Sequence, residues 1–223
     1  MRAWGLLLAG AGLLLARPAR AQADTAAPVV LADRAALDSL LTDLATVDST
    51  IVIEARYATA GNFTGAPLPG YGPNRIYLRR EAAAALGRVQ RRLCSGGMGL
   101  KVFDGYRPVR ATEAMVAWAR RTGQGALIQQ GYIASHSRHN LGLAVDLTLV
   151  DWSVGGREVD LGTPYDTFSD AAHWANATGR TLRYRQLLRR VMEEEGFRQY
   201  EQEWWHYSYV VPGAPPALDV PVP

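Results

Sequence analysis

Two histidines and an aspartate are the residues of this 223-residue chain best suited to hold a metal ion. His139 and Asp146 lie in the segment SRHNLGLAVD, and His206 ends the later segment EWWH. They offer two nitrogen ligands and one oxygen ligand, a set that suits a catalytic zinc site with its fourth position kept for water. Asp146 also interrupts an apolar strand pattern, where an unpaired carboxylate is costly and a metal ion or a tight ion pair would neutralise it.

The spacing of these residues does not by itself bring them together. His139 and Asp146 are seven positions apart, so a straight strand would point them to opposite faces of a sheet. Gly142 is the natural place for a bend or bulge that turns both inward. Glu203 and His206, three positions apart, present the same difficulty, which the sequence leaves open. Taken singly, His139 is more often a hydrogen-bonded core residue, and Asp146 is as often a buried ion pair as a ligand.

Few other residues could support metal or redox chemistry. Cys94 is the single cysteine, which excludes an internal disulfide, a thiolate metal site and a CxxC redox centre. His136 lies near His139 and is expected to be a supporting or surface residue, and His173 is expected on the outer face of a short helix. Any metal ion must therefore be held by histidine and carboxylate.

The elements that must position these residues mix helices and strands without regular βαβ alternation, which predicts an α+β fold. Strand patterns occur at residues 51–53, 100–103, 143–150 and 204–211. Helical patterns occur at residues 33–44, with Asp33 as the cap, and at 79–93, 108–122 and 181–195. Residues 57–74 are rich in Gly, Pro and Asn and form a loop long enough to cover a site, and the tail after Pro212 is expected to be extended.

The N-terminal residues predict export. Residues 1–4 are a short cationic start, residues 5–16 are an apolar run, and residues 19–23 offer small-residue cleavage sites, the pattern of a secretory signal peptide. The run is shorter than the roughly 20 residues of a membrane-spanning helix, so no stable membrane anchor is expected. We therefore predict a signal peptide over residues 1–23, a periplasmic location, and one domain over residues 24–223.

Removal of residues 1–23 changes the charge balance. The whole chain has 24 Lys and Arg against 21 Asp and Glu, and three of the arginines but none of the acids lie in the predicted signal peptide. The remaining chain is formally neutral, so no nucleic-acid partner is expected. A composition of 48% hydrophobic and 20% charged residues is that of an ordinary globular domain, and it does not indicate an oligomeric state.

Taken together, the motifs resemble those of the zinc D-alanyl-D-alanine dipeptidases associated with vancomycin resistance. The segments YAT and NFTG, DGYRP, SxHxxGxAxD, GTPYD and ExxH with Trp-Trp inside it follow in the order of that family, over about residues 50–210. The resemblance implies a single α+β domain with a small antiparallel sheet flanked by helices, and one zinc ion per chain. It also implies hydrolysis of the D-alanyl-D-alanine dipeptide to free D-alanine in cell-wall metabolism.

The resemblance assigns catalytic roles to five residues. It implies that His139, Asp146 and His206 are the zinc ligands, that Glu203 is the general acid and base, and that Arg107 stabilises the developing negative charge. The chemistry is consistent, because zinc activates water, a carboxylate moves its proton, and a fixed guanidinium stabilises an oxyanion. Arg107 precedes a predicted helix, where the macrodipole disfavours a cation, so helix stability does not explain it.

The resemblance also implies a substrate-binding group. Asp166 and Tyr57 are expected to bind the free ammonium of the dipeptide, which would reject longer peptides, and Ser137 is expected to form a wall of the same pocket. Asp166 could instead be a helix N-cap or a turn residue. Asn140, Leu141 and Leu143 are bulkier than the residues usual in the family, which bears on the shape of the pocket.

Two other functions remain open. A peptidoglycan DD- or LD-carboxypeptidase or endopeptidase on the same scaffold would trim longer stems instead of the dipeptide. A non-catalytic zinc-containing binding module, of the kind found in Hedgehog signalling proteins, would not require both Glu203 and Arg107. Export favours scavenging or recycling of wall-derived dipeptide over interception of a cytoplasmic precursor.

Overall fold

The computed structural model describes residues 28–29 and 34–222. The strands are β1 (Leu41–Asp43), β2 (Val52–Ile53), β3 (Tyr77–Arg79), β4 (Met98–Asp104), β5 (Ala144–Asp151), β6 (Arg157–Glu158), β7 (Phe197–Tyr200) and β8 (Glu203–Tyr209). The helices are α1 (Arg34–Leu40), α2 (Arg80–Cys94), α3 (Val109–Arg121), α4 (Ala126–Gln129) and α5 (Gly179–Glu194). The predicted signal peptide and the predicted cap Asp33 lie outside the described residues. Of the helices described, none has the length and apolar character needed to cross a membrane.

The main sheet has six strands in the order β2-β4-β5-β8-β7, with β6 beside the end of β5. Its pairs are antiparallel, as predicted, except that β2 runs parallel to β4. The parallel pair is possible because β3 and α2 lie between these two strands in the chain and supply the long crossover that it requires. The α+β class is therefore confirmed, and the sheet is mixed at one edge.

β5, whose strand pattern the sequence shows, is the central strand of the main sheet. All its residues but the last are buried. α2 packs against β4, α5 packs against β7, and the two helices also contact each other. Leu86 of α2, Leu147 of β5 and Leu188 of α5 are completely buried in this core. Burial of such apolar side chains is the main source of stability in a domain of this size.

Short elements account for most of the differences from the sequence-based prediction. The first predicted helix ends at Leu40, and β1 follows directly and pairs with β3, which was not predicted. β7 was not predicted either, and it pairs with β8 as a hairpin. Strands of three or four residues carry little periodicity of their own, and their partners along the sheet stabilise them.

The C-terminal tail is extended, as predicted, and it is docked on the domain. We refer to residues 217–222 as the C-terminal strap. Its apolar side chains pack in a second buried cluster with those of α1, β1, β3 and Tyr106. Backbone hydrogen bonds join Leu218 N to the Asn140 carbonyl oxygen and Val222 N to the Gly70 carbonyl oxygen. The strap therefore ties together loops that adjoin the residues predicted to form the site.

Candidate metal centre and active site

The side chains of His139, Asp146 and His206 converge on one point. His139 Nε2 lies 3.3 Å from Asp146 Oδ1, His206 Nδ1 lies 3.0 Å from the same oxygen, and the two ring nitrogens are 3.2 Å apart. A tetrahedral site with bonds of about 2.0–2.1 Å has ligand-to-ligand edges of roughly 3.3 Å, so this spacing suits one small divalent cation. Among the described residues, these three form a group whose ligand atoms lie close enough to share an ion.

Strand pairing and a tight turn bring the three side chains together. Asp146 of β5 and His206 of β8 are direct partners in the antiparallel register, so their side chains emerge next to each other. His139 precedes β5 in one 3₁₀ turn that ends at Gly142, whose φ is 69°. A Cβ at Gly142 would lie 2.7 Å from Leu41 Cδ2, so glycine is required in this left-handed conformation. The predicted bend at Gly142 is confirmed, and it lies just before the strand.

An irregular pairing of β7 with β8 explains the spacing between Glu203 and His206. Gln199 pairs with Tyr207, but the next residue, Tyr200, pairs with Glu203, so β8 has three extra residues at this point. A bulge of this kind changes the side of the strand to which the following side chains point. As a result, Glu203 Oε2 lies 3.9 Å from His206 Nδ1, and both side chains reach the same site.

Hydrogen bonds determine which nitrogen of each imidazole faces the shared point. His139 Nδ1 lies 2.7 Å from the Gly105 carbonyl oxygen, so Nδ1 is the protonated donor and Nε2 is left as the ligand atom. His206 Nε2 lies 3.3 Å from Ser208 Oγ, which leaves Nδ1 facing Asp146. Burial lowers the pKa of His206, which favours the neutral imidazole that metal binding requires.

Arg107 is held at the site by Asp104, a residue to which the sequence analysis gave no role. Arg107 Nε and Nη2 donate to Asp104 Oδ2 at 3.0 and 2.7 Å, and the Tyr71 hydroxyl donates to Asp104 Oδ1 at 2.6 Å. Arg107 Nη2 also lies 3.8 Å from Asp146 Oδ2. Burial alone would lower the pKa of Arg107, but the charge of Asp104 raises it, so the guanidinium remains charged. In the sequence, Asp104 directly follows the apolar strand pattern at residues 100–103, and this position is the feature that could have identified it.

Tyr57 and Asp166, the two residues expected to bind an ammonium group, contact each other. The Tyr57 hydroxyl lies 3.0 and 3.2 Å from the two carboxylate oxygens of Asp166. Asp166 lies in a turn with a φ of 60°, the one non-glycine residue of the described chain with positive φ. Such a conformation costs energy, and it is retained where the surrounding structure imposes it. Burial, followed by the negative charge of Asp146, raises the pKa of Asp166 to about 8.

Tyr165, the residue before Asp166, was also given no role by the sequence analysis. Its hydroxyl lies 2.9 Å from Asp146 Oδ2 and 3.0 Å from the Tyr57 hydroxyl. The hydroxyl therefore adjoins both the metal-binding group and the expected ammonium-binding group. The GTPYD motif could have drawn attention to Tyr165, but the motif alone does not show which of its side chains points into the site.

The site is rich in carboxyl groups. Burial, followed by the charges of Asp146 and Asp166, raises the pKa of Glu203 well above its usual range. Burial also disfavours the charged form of Asp146, but His139 and His206 hold its pKa below the usual range. Four carboxyl groups, those of residues 104, 146, 166 and 203, lie near the guanidinium of Arg107. A divalent cation and an ammonium group bound beside them would favour the ionised forms of these carboxyl groups.

One cavity of about 330 Å³ contains this site. All eight residues predicted to act in metal binding, catalysis or substrate binding line it: Tyr57, Arg107, Ser137, His139, Asp146, Asp166, Glu203 and His206. Ser137 Oγ accepts a hydrogen bond of 3.2 Å from His139 N, so Ser137 also shapes the turn that carries the first histidine. Phe63, from the long loop predicted over residues 57–74, lines the cavity as well.

The other residues considered for metal or redox chemistry lie outside the metal-binding group. His136 is exposed on the wall of the cavity. His173 follows a short 3₁₀ turn and lies half-buried, with Nε2 2.9 Å from the Tyr132 hydroxyl. Cys94 is partly buried beside Gln90, with Gln90 Nε2 3.4 Å from its sulfur.

Comparison with known proteins identifies the family. The model of the D-Ala-D-Ala dipeptidase family, peptidase M15, matches residues 38–219. The D-alanyl-D-alanine dipeptidase of Enterococcus faecalis is 36% identical over 172 residues, which cover 70% of this chain and 85% of that one. The D-alanyl-D-alanine dipeptidase of Streptomyces coelicolor is 37% identical over 187 residues, which cover 74% of this chain and 91% of that one. The solved D,D-dipeptidase VanXYg, in complex with a D-Ala-D-Ala phosphinate analog, is 19% identical. The match covers 76% of this chain and 66% of that one, with a TM-score of 0.40.

Proposed function

The chain belongs to the D-Ala-D-Ala dipeptidase family, peptidase M15, and we propose that it hydrolyses the D-alanyl-D-alanine dipeptide to two molecules of D-alanine. One observation carries the proposal: a metal-binding group, a carboxylate and a guanidinium converge in one cavity. A binding module that used zinc only for its structure would need neither Glu203 nor Arg107 at this place.

His139 Nε2, Asp146 Oδ1 and His206 Nδ1 would hold a zinc ion at this site. Two nitrogen ligands and one oxygen ligand with edges close to 3.3 Å support this assignment. The hydrogen bond from His139 to the Gly105 carbonyl oxygen supports it too, because metal-ligating histidines usually donate their other N–H to such a partner. When bound, zinc supplies Lewis acidity, which polarises a carbonyl group and makes water a stronger acid.

Glu203 and Arg107 supply the proton transfer and the charge stabilisation. A carboxylate whose pKa is raised can take a proton from water near neutral pH and return it to the leaving amine, and Glu203 meets this condition. Arg107 lies beside Asp146 with its guanidinium fixed by Asp104, so it can stabilise an oxyanion without first rearranging.

Asp166 and Tyr57 give the site its preference for a free dipeptide. A substrate ammonium placed between them would pair with a buried carboxylate, whereas a longer peptide would place an uncharged amide there and leave that carboxylate without its partner. Ser137, which also lines the cavity, completes the substrate pocket.

The enzyme is exported and acts in the periplasm, with residues 1–23 removed as a signal peptide. The cationic start, the apolar run and the small residues at 19–23 support this part of the proposal. A periplasmic dipeptidase would act on dipeptide released from the cell wall, in recycling or scavenging.

Release of D-alanine from D-alanyl-D-alanine by the purified, zinc-loaded protein tests the function. L-alanyl-L-alanine is the control for stereochemistry, and a pentapeptide ending in D-alanyl-D-alanine tests the carboxypeptidase alternative. We expect cleavage of the free D,D-dipeptide and little cleavage of the pentapeptide. Preferential cleavage of the pentapeptide would favour the carboxypeptidase, and failure to cleave any of the three would refute the proposal.

A further inference from the structure

We propose that Tyr165 is a positioning residue of the metal centre, whose hydroxyl sets the rotation of the Asp146 carboxylate so that Oδ1 faces the two imidazoles. The inference rests on the metal site of the proposed function. It concerns how tightly the chain holds its ion, which is measured without any substrate.

The two oxygens of Asp146 have separate partners. Oδ1 lies 3.0 Å from His206 Nδ1 and 3.3 Å from His139 Nε2, the geometry of a shared ligand position. Oδ2 lies 2.9 Å from the Tyr165 hydroxyl, its one hydrogen bond within the described chain, while Arg107 Nη2 is farther away at 3.8 Å. A hydrogen bond from a phenol to a carboxylate is charge-assisted, and it fixes which oxygen remains for the metal ion.

The ring of Tyr165 is held in place by contacts that do not involve its hydroxyl. The ring stacks on Phe103 with centroids 4.7 Å apart and meets the edge of Trp205 at 5.4 Å. The Arg56 guanidinium lies over its face, 5.7 Å from the centroid. Since these contacts position the ring, the substitution Tyr165→Phe removes the hydrogen bond to Asp146 and leaves the packing intact.

The Tyr57 hydroxyl is the other polar neighbour of Tyr165, and it offers an internal comparison. A phenol has one proton, and the ionised carboxylate of Asp146 is a stronger acceptor than the Tyr57 hydroxyl. Tyr57 in turn directs its proton to Asp166. Removal of the Tyr57 hydroxyl therefore leaves the contact between Tyr165 and Asp146 in place.

The test measures zinc affinity by competition with a chromogenic chelator, for wild type, Tyr165→Phe, Tyr57→Phe and Tyr207→Phe. Tyr207 of β8 is the matched control. Its hydroxyl is also buried, but it has no hydrogen-bond partner among the described residues. We expect Tyr165→Phe to bind zinc about 10- to 100-fold more weakly, a typical cost of losing a group that orients a metal ligand. Tyr57→Phe and Tyr207→Phe should keep the wild-type affinity.

Unfolding of the metal-free proteins and visible spectra of the cobalt-loaded proteins complete the test. Tyr165→Phe should unfold like wild type when metal-free, and its cobalt spectrum should differ from that of wild type because the ligand has rotated. Equal zinc affinity of wild type and Tyr165→Phe would overturn the inference, as would an equal loss in Tyr207→Phe. Absence of zinc binding in wild type would instead refute the metal site of the proposed function.

Discussion

The Tyr57 hydroxyl donates to the carboxylate of Asp166, although 109 positions separate the two residues in the chain. The contact joins the long N-terminal site loop to a strained turn that follows β6. It creates an acidic corner in the cavity that contains the metal-binding group.

This corner predicts how the enzyme distinguishes substrates. Asp166→Asn should lower kcat/KM for D-alanyl-D-alanine by roughly 30-fold or more, because a buried ammonium loses its charged partner. Asparagine tolerates the left-handed backbone conformation of Asp166, so the turn should persist. Steady-state kinetics with the free dipeptide and with N-acetyl-D-alanyl-D-alanine measure the effect. The kcat/KM for the acetylated compound, which has no ammonium, should fall much less. An equal fall in kcat/KM for both compounds would contradict the role assigned to Asp166.

The general acid and base can be tested separately from metal binding. Glu203→Gln should lower kcat by about 10²- to 10⁴-fold, because an amide of the same shape cannot accept the proton of water. Glu203 lies 3.9 Å from His206 and is outside the group that binds the metal ion, so zinc content should equal that of wild type. Metal analysis of the purified variant, together with turnover, is the measurement. A variant that retains zinc and full turnover would rule out the role of Glu203.

The raised pKa of Asp166 predicts a pH dependence of stability in the metal-free protein. The folded-state pKa is about 8 and the ordinary value is 3.8. Because the pKa is raised on folding, this group's favourable contribution is complete below the ordinary pKa and is lost as pH rises through about 8. Asp166→Asn should therefore gain stability relative to wild type between about pH 5 and about pH 8. Urea unfolding in the presence of a chelator measures the difference in the free energy of unfolding between Asp166→Asn and wild type. A difference that does not change with pH would contradict the prediction.

The C-terminal strap predicts a dependence of stability on Tyr106. The Tyr106 hydroxyl accepts a hydrogen bond from Val220 N at 2.8 Å and donates one to the Val220 carbonyl oxygen at 3.0 Å, and both residues are buried. Tyr106→Phe leaves two backbone groups without partners, which should cost about 1–3 kcal/mol in the free energy of unfolding. Urea denaturation of this variant beside Tyr207→Phe, which loses no hydrogen bond of its hydroxyl among the described residues, is the comparison. A cost no larger than that of the control would show that the strap is not anchored here.

The proposed export predicts a processed protein. Expressed in its own host, the protein should be found in the periplasmic fraction with its N-terminus near residue 24, because the small residues at 19–23 form the cleavage region. Fractionation followed by N-terminal sequencing is the measurement. Recovery of the intact chain, with residues 1–23, from the cytosol would exclude a role in recycling outside the inner membrane.

The amino-acid sequence by itself determined the chemistry available to this protein. The residue types of His139, Asp146 and His206 suited a catalytic zinc site, and the resemblance of the motifs implied a hydrolase with Glu203 as its acid and base. The apolar patterns predicted the two strands that carry most of these residues. These features are local, because a ligand's chemistry and a strand's periodicity depend on the residue types and their immediate spacing. The α+β class followed from the same local patterns.

Tertiary structure alone decided how these residues meet. The pairing of Asp146 with His206 and the three extra residues of β8 at Glu203 depend on strand register, which a shift of one residue would reverse. The contacts of Tyr71 with Asp104 and of Tyr165 with Asp146 also join separate segments. No local pattern encodes such contacts, because the packing of the whole chain determines which face each side chain presents and which partner it finds.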